Sequence, residues 1–298
     1  MTRNHAFRGG RLPAQPARPH LKLSTALTAA LPAPPATSDW LSPVPAADWG
    51  MLANDLYGDC TCAGVGHKRI GDVYVNQGQT LTVTDADVLA LYSAVTGFDP
   101  ADPSTDQGAV CQDVLEYWQK HGFLGEKILA FAKVDLTDLT EVRQAIALFG
   151  QIYTGFNFPD TAMAQFDASQ PWDVVKGARI EGGHCVTIGA YDSDGFECVT
   201  WGKTQKLTTA FFKRYFDEAW VIIDTDFVNT QTGKDFQGLD LYTLGQDFAA
   251  LTGKTSPIPS PTPSPNPSPE PTPTPAPVPL TAVQLGAKVR DLLTANGA

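Results

Sequence analysis

The chain has 298 residues, enough for one large domain or two small ones, and 43% hydrophobic content with six Trp is enough for a proper core. A formal net charge of −11 and a pI near 4.8 argue against general nucleic-acid binding by the body of the protein. No stretch reaches the ~20 apolar residues a membrane span needs, and five cysteines without a paired C-x-x-C set give neither a disulfide framework nor a zinc site.

The charge is segregated along the chain. Residues 1–38 form a Pro- and Ala-rich arm carrying Arg3, Arg8, Arg11, Arg18 and Lys22 and no acid, whereas residues 39–255 hold 30 acids against 14 bases. Such an arm could dock on its own body, on a neighbouring copy or on an acidic partner, or remain a solvated tail. Its apolar run at 23–31 is brief and flanked by prolines, a poor signal peptide. A cytoplasmic or virion-associated location is therefore expected ahead of Sec secretion.

The body begins at Asp39. The run Asn54-Asp55-Leu56-Tyr57-Gly58-Asp59 forms turns and delivers Cys60 to the start of a helix that reads on through His67. At that position the helix dipole and unpaired N–H groups stabilise a thiolate. Asp59 is expected to be the N-cap, and His67 and His121 to be surface or capping residues. Thr84 caps a second helix whose apolar face holds Val88, Leu89, Leu91 and Tyr92. The loop 97–107 is dense in Asp and Pro; its acids, with Asp192 and Asp194, lack the EF-hand spacing for calcium. A third helix covers 110–121, stopped by Gly122.

Strands then dominate, at 128–134, 151–156, 186–191, 195–200 and 219–223, with one helix at 141–149. Helices first and strands after argue for an α+β protein with a cleft between two lobes. A further helix is expected over 236–252. Residues 256–280 are a polyproline spacer, and 281–298 carry Leu285, Val289, Leu292 and Leu293 at helical spacing. That last segment reads as a docking peptide for an unidentified partner, or as a frayed tail.

The second chemical landmark is Glu181-Gly182-Gly183-His184-Cys185-Val186, where a histidine opens an apolar strand 124 residues after Cys60. Together the Trp40 region, Asn54…Gly58-Asp59-Cys60, the mid-chain helix after Gly108, Gly183-His184-Cys185-Val186 and Val199-Thr200-Trp201-Gly202 resemble the papain-like cysteine peptidases. The resemblance spans roughly residues 39–225. It implies a two-lobed papain-like fold, Cys60 (rather than Cys62) as nucleophile, His184 as general base and acid, and Asn54 in place of the family's oxyanion-hole Gln. The family's orienting Asn is missing: alignment on Trp201-Gly202 puts Val199 there, and a one-residue shift puts Thr200 there, whose hydroxyl could accept the imidazole N–H.

Two functions follow from this reading. One is a thiol hydrolase cutting peptide or isopeptide bonds of a protein substrate, with no cofactor or metal. The other is a non-catalytic papain-like module serving as a structural or attachment protein of a bacterial or phage assembly. A cell-wall amidase using the same dyad is a third possibility, though no wall-binding repeat accompanies it.

Overall fold

The computed structural model describes residues 9–26 and 33–224. A turn of helix, α1 (Leu23–Ala26), and a two-residue strand, β1 (Ser38–Asp39), precede three helices: α2 (Cys60–Gln77), α3 (Asp85–Thr96) and α4 (Cys111–His121). Then come β2 (Ile128–Lys133), α5 (Leu139–Phe149), β3 (Ile152–Pro159), α6 (Ala162–Asp167) and β4 (Ile180–Tyr191). The hairpin strands β5 (Gly195–Thr200) and β6 (Lys203–Thr208), helix α7 (Thr209–Tyr215) and strand β7 (Phe216–Asp224) complete the described chain. The order of helices followed by an antiparallel sheet is the α+β arrangement expected from sequence. The helix expected over 236–252, the polyproline spacer and the terminal segment lie outside the described residues.

Helix α2 is the axis of the molecule. It extends ten residues past His67 to Gln77, and every residue from Cys60 to Val73 is buried. A helix enclosed on all sides has no polar stripe, so periodicity does not reveal its length. Small residues let it approach its neighbours. A Cβ at Gly64 would stand 3.0 Å from the Tyr153 ring, and one at Gly71 only 1.8 Å from Nε2 of Gln151. His67 is a correction to the expected surface position: it is buried, 3.2 Å from the Gly50 carbonyl oxygen, and edge-on to Trp49. By contrast α3 starts as expected, with Thr84 and Asp87 forming a reciprocal capping box.

The strands pair in the order β2-β7-β3-β4-β5-β6, all antiparallel, with β1 on β4. Alternation along the central strands feeds two cores. Tyr153, Cys185 and Trp220 pack towards the helices with Cys60, Cys111, Val114 and Trp118. Phe156, Val186 and Ala219 pack on the other side with Trp172, Trp201, Phe211 and Phe216. Strand β6 is not evident from the sequence because Lys203–Thr208 (KTQKLT) is a polar edge strand, and α7 is only seven residues long. Among the described residues no helix is long and apolar enough to cross a membrane.

Candidate active site

Cys60 is the first residue of α2, fully buried, and it packs with Cys111 and Cys185. Hydrogen bonding from the backbones of Cys185 and Gly10 favours its thiolate form. It offsets only part of the burial that, with Cys111 and Asp59 nearby, pushes the thiol up to about 12. Cys62 is also buried, its sulfur 4.0 Å from the Thr61 hydroxyl, and burial raises its thiol well above the ordinary value.

The turn before Cys60 departs from expectation at Asp59. Asp59 occupies the N-cap position, yet its side chain makes no capping bond. Its carboxyl instead accepts from Nδ2 of Asn54 at 3.0 Å. It is fully buried, and burial lifts it well above the usual carboxylate range despite that bond. Asn54 also donates to the Tyr57 carbonyl at 3.3 Å, so its amide faces its own turn. To hold an oxyanion it would have to release one of these bonds. The acidic loop has structural work of its own. Asp106 accepts from the Gly58 N–H and from the Tyr92 hydroxyl at 2.7 Å, tying that loop to the turn before Cys60. Asp99 and Asp102 accept from nearby N–H groups of the same loop, as Asp192 does in its own turn.

His184 is the residue before Cys185 on β4, and the two side chains leave the strand on opposite sides. Cys185 meets the helices; His184 stands opposite Phe156 of β3 and stacks on Trp201 at 4.5 Å and 15°. Phe156 and Phe158 close in edge-on. Nε2 lies 2.9 Å from Oγ1 of Thr200, so Nδ1 is the nitrogen through which the imidazole would act on a thiol. Of the two positions weighed against the missing Asn, Thr200 is the one at the ring. Val199, its neighbour on β5, turns away and packs with Trp49 and Leu41. Burial lowers the imidazole to about 3.

Trp201 and Gly202 are the two turn residues between β5 and β6, with φ of +45° and +74°. A two-residue hairpin of this kind wants positive φ at both positions. For a tryptophan that costs about 1–3 kcal/mol. The indole's stack on His184 and its edge contacts with Phe158, Phe166 and Trp172 hold it there.

The basic arm crosses this site, a feature the sequence reading did not place there. Arg11 N–H donates to Gly183 O at 3.2 Å, Ala109 N–H to Gly10 O at 2.8 Å, and Leu12 N–H to Ala109 O at 2.9 Å. Close approach depends on glycine: a Cβ at Gly10 would lie 1.8 Å from Gly58 O, and one at Gly183 2.2 Å from Arg11 O. Arg11 pairs with Asp217 and Glu218, and Arg18 with Asp113 and Glu116.

Among the described residues no group of His, Cys, Asp or Glu is arranged to hold a metal ion. No protein-family model matches the sequence, and no curated protein matches it either. Solved structures do share its shape. Xylellain, a cysteine protease from Xylella fastidiosa, superimposes with a TM-score of 0.55 at 17% identity, over 75% of this chain and 98% of the other. Digestive procathepsin L 3 of Tenebrio molitor larval midgut gives 0.52 at 11% identity, over 74% and 77%.

Proposed function

On the premise that the fold is that of the papain-like cysteine proteases, we propose that this chain is a thiol hydrolase of peptide or isopeptide bonds, held closed by its own arm. Cys60 is the nucleophile and His184 the general base and acid. The thiolate attacks the substrate carbonyl carbon. The imidazole, protonated at Nδ1, returns the proton to the leaving amine, and water then releases the acyl group from sulfur. The first N–H groups of α2 supply oxyanion donors, joined by Asn54 if its amide swings off Asp59. Thr200 fixes the imidazole through Nε2, and Trp201 shields it from water.

One observation supports this reading: Cys60 packs in one core with Cys185, the residue that follows His184 on β4. A second reading, the non-catalytic attachment module, draws support from the same region. In the closed form burial keeps both the thiol and the imidazole neutral, so the charged pair of a working dyad is not preformed. Opening the cleft to water reverses both shifts in the hydrolase reading.

Hydrolysis of peptide-amide substrates by the full chain carrying Gly10→Ala, which drives the arm off Gly58, distinguishes the two. Turnover that disappears in Cys60→Ser and His184→Ala supports the hydrolase. A folded, open variant that cuts nothing supports the module.

A further inference from the structure

The arm is gripped from two sides. Arg11 forms a parallel bridge with Ala109, whose N–H donates to Gly10 O at 2.8 Å and whose carbonyl accepts from Leu12 N–H at 2.9 Å. From the other side, Gly183 O accepts the N–H of Arg11 at 3.2 Å. Two residues beyond each grip stands a cysteine. Cys111 is the first residue of α4 and Cys185 lies within β4; both are buried, and their sulfurs touch at 3.8 Å. Contact alone is what two small buried hydrophobes make. This pair is set apart by its place, because it joins the two segments that hold the arm, 74 residues apart in the chain.

We infer that Cys111 and Cys185 are a reversible redox pair whose disulfide staples α4 to β4 and retains the arm. The oxidant is a low-molecular-weight disulfide such as oxidised glutathione. One cysteine thiolate attacks it, forming a mixed disulfide and expelling one glutathione thiolate. The second cysteine attacks its partner's sulfur in that mixed disulfide and expels the other. The two thiol protons pass to the two leaving thiolates, so two cysteines are oxidised while one glutathione disulfide is reduced to two thiols. Closing the pair brings the sulfurs from 3.8 Å to about 2.05 Å. The seated arm already coincides with sulfurs in contact, so this is the arrangement the disulfide favours. Linkage then runs both ways: the disulfide holds the arm, and a seated arm makes the disulfide harder to reduce. Burial lifts the Cys185 thiol well above its ordinary value, so exchange waits on local opening and is slow. The inference goes beyond the hydrolase reading and stands whether or not the site cuts anything.

The test equilibrates the full chain and its Gly10→Ala variant anaerobically across ratios of reduced to oxidised glutathione. After an acid quench, the disulfide-linked peptides holding Cys111 and Cys185 are quantified by mass spectrometry. The native chain is expected to keep the disulfide to a glutathione ratio about tenfold more reducing, or beyond, than the opened variant does. In the native chain, oxidation should also slow amide hydrogen exchange of residues 10–12 by about tenfold or more, and dithiothreitol should reverse it. Absence of the disulfide at every ratio, a disulfide that forms through Cys60 instead, or equal midpoints in the two chains each overturn the proposal. Should Gly10→Ala not fold, the exchange comparison in the native chain decides alone. Protection of residues 10–12 that ignores oxidation overturns the latch.

Discussion

The two sides of the candidate site, a helical wall and a sheet wall, are built on different principles. The helical wall, with Cys60, Asp59 and Asn54, is polar chemistry sealed in: a neutral thiol, a buried carboxyl and an amide turned back on its own loop. The sheet wall, with His184, Thr200 and Trp201, is an imidazole set by one hydroxyl and one stacked indole. The helical wall meets the arm where Gly10 lies on Gly58, whereas the imidazole of the sheet wall is held by side chains of β3, β5 and the β5–β6 turn, the arm reaching only the Gly183 backbone of β4. Opening the cleft should therefore change the first wall far more than the second.

The largest expected effect comes from cutting the arm's anchor. Glu218→Leu strands Arg11 in a buried site and should cost about 3–5 kcal/mol in urea unfolding. Pairing it with Arg11→Met should recover most of that loss, and no recovery would mean the arm is not held by this pair. Next is acid sensitivity, to which both walls contribute. Burial holds His184 at about 3 and His67 at about 4, while the unfolded chain takes up these protons near 6.5. Their contribution is complete above pH 6.5 and lost as pH falls towards 3 to 4, by several kcal/mol in all. Asp59, lifted by burial, acts in the opposite sense: its contribution is full below about 3.9 and declines as pH rises. His184→Gln and His67→Gln should each flatten the acid limb of a stability–pH profile, and an unchanged limb would contradict the burial of these rings.

Smaller effects separate the walls more finely. Tyr92→Phe removes the hydroxyl that accepts Gly108 N–H at 2.7 Å and donates to Asp106. It should cost about 1–3 kcal/mol and loosen the helical wall while leaving the pH behaviour of His184 unchanged. Thr200→Val removes the Nε2 partner and should cost about 1 kcal/mol. Thr200→Asn, if the hydrolase reading holds, should keep the imidazole oriented and retain turnover in the opened chain. Comparable turnover in the Val and Asn variants would show that the orienting bond is unimportant.

Much of this architecture is legible from residue order, and the exceptions share a cause. The turn before Cys60, the Thr84 cap, the glycine stops and the strand at His184 are local signals, written within a few residues. Helix α2 is longer than its sequence suggests because full burial removes the polar stripe that would mark it. Asp59 looks like an N-cap, but a partner five residues earlier claims its carboxyl. The hairpin turn at Trp201-Gly202 is concealed because tryptophan is a poor choice for positive φ, tolerated only through contacts made elsewhere in the fold. Charge segregation made docking of the arm on the body one of several readings. Its path depends on glycines at 10, 58, 108 and 183, and no local pattern connects positions that far apart.

The pairing of Cys60 with His184 is tested most directly by alkylation of the opened chain at pH 6, with each cysteine followed by mass spectrometry. In Gly10→Ala iodoacetamide is expected to modify Cys60 much faster than Cys62, Cys111, Cys185 or Cys198, and His184→Ala to remove the difference. Uniformly slow modification of all five thiols in the folded, opened chain would contradict that pairing.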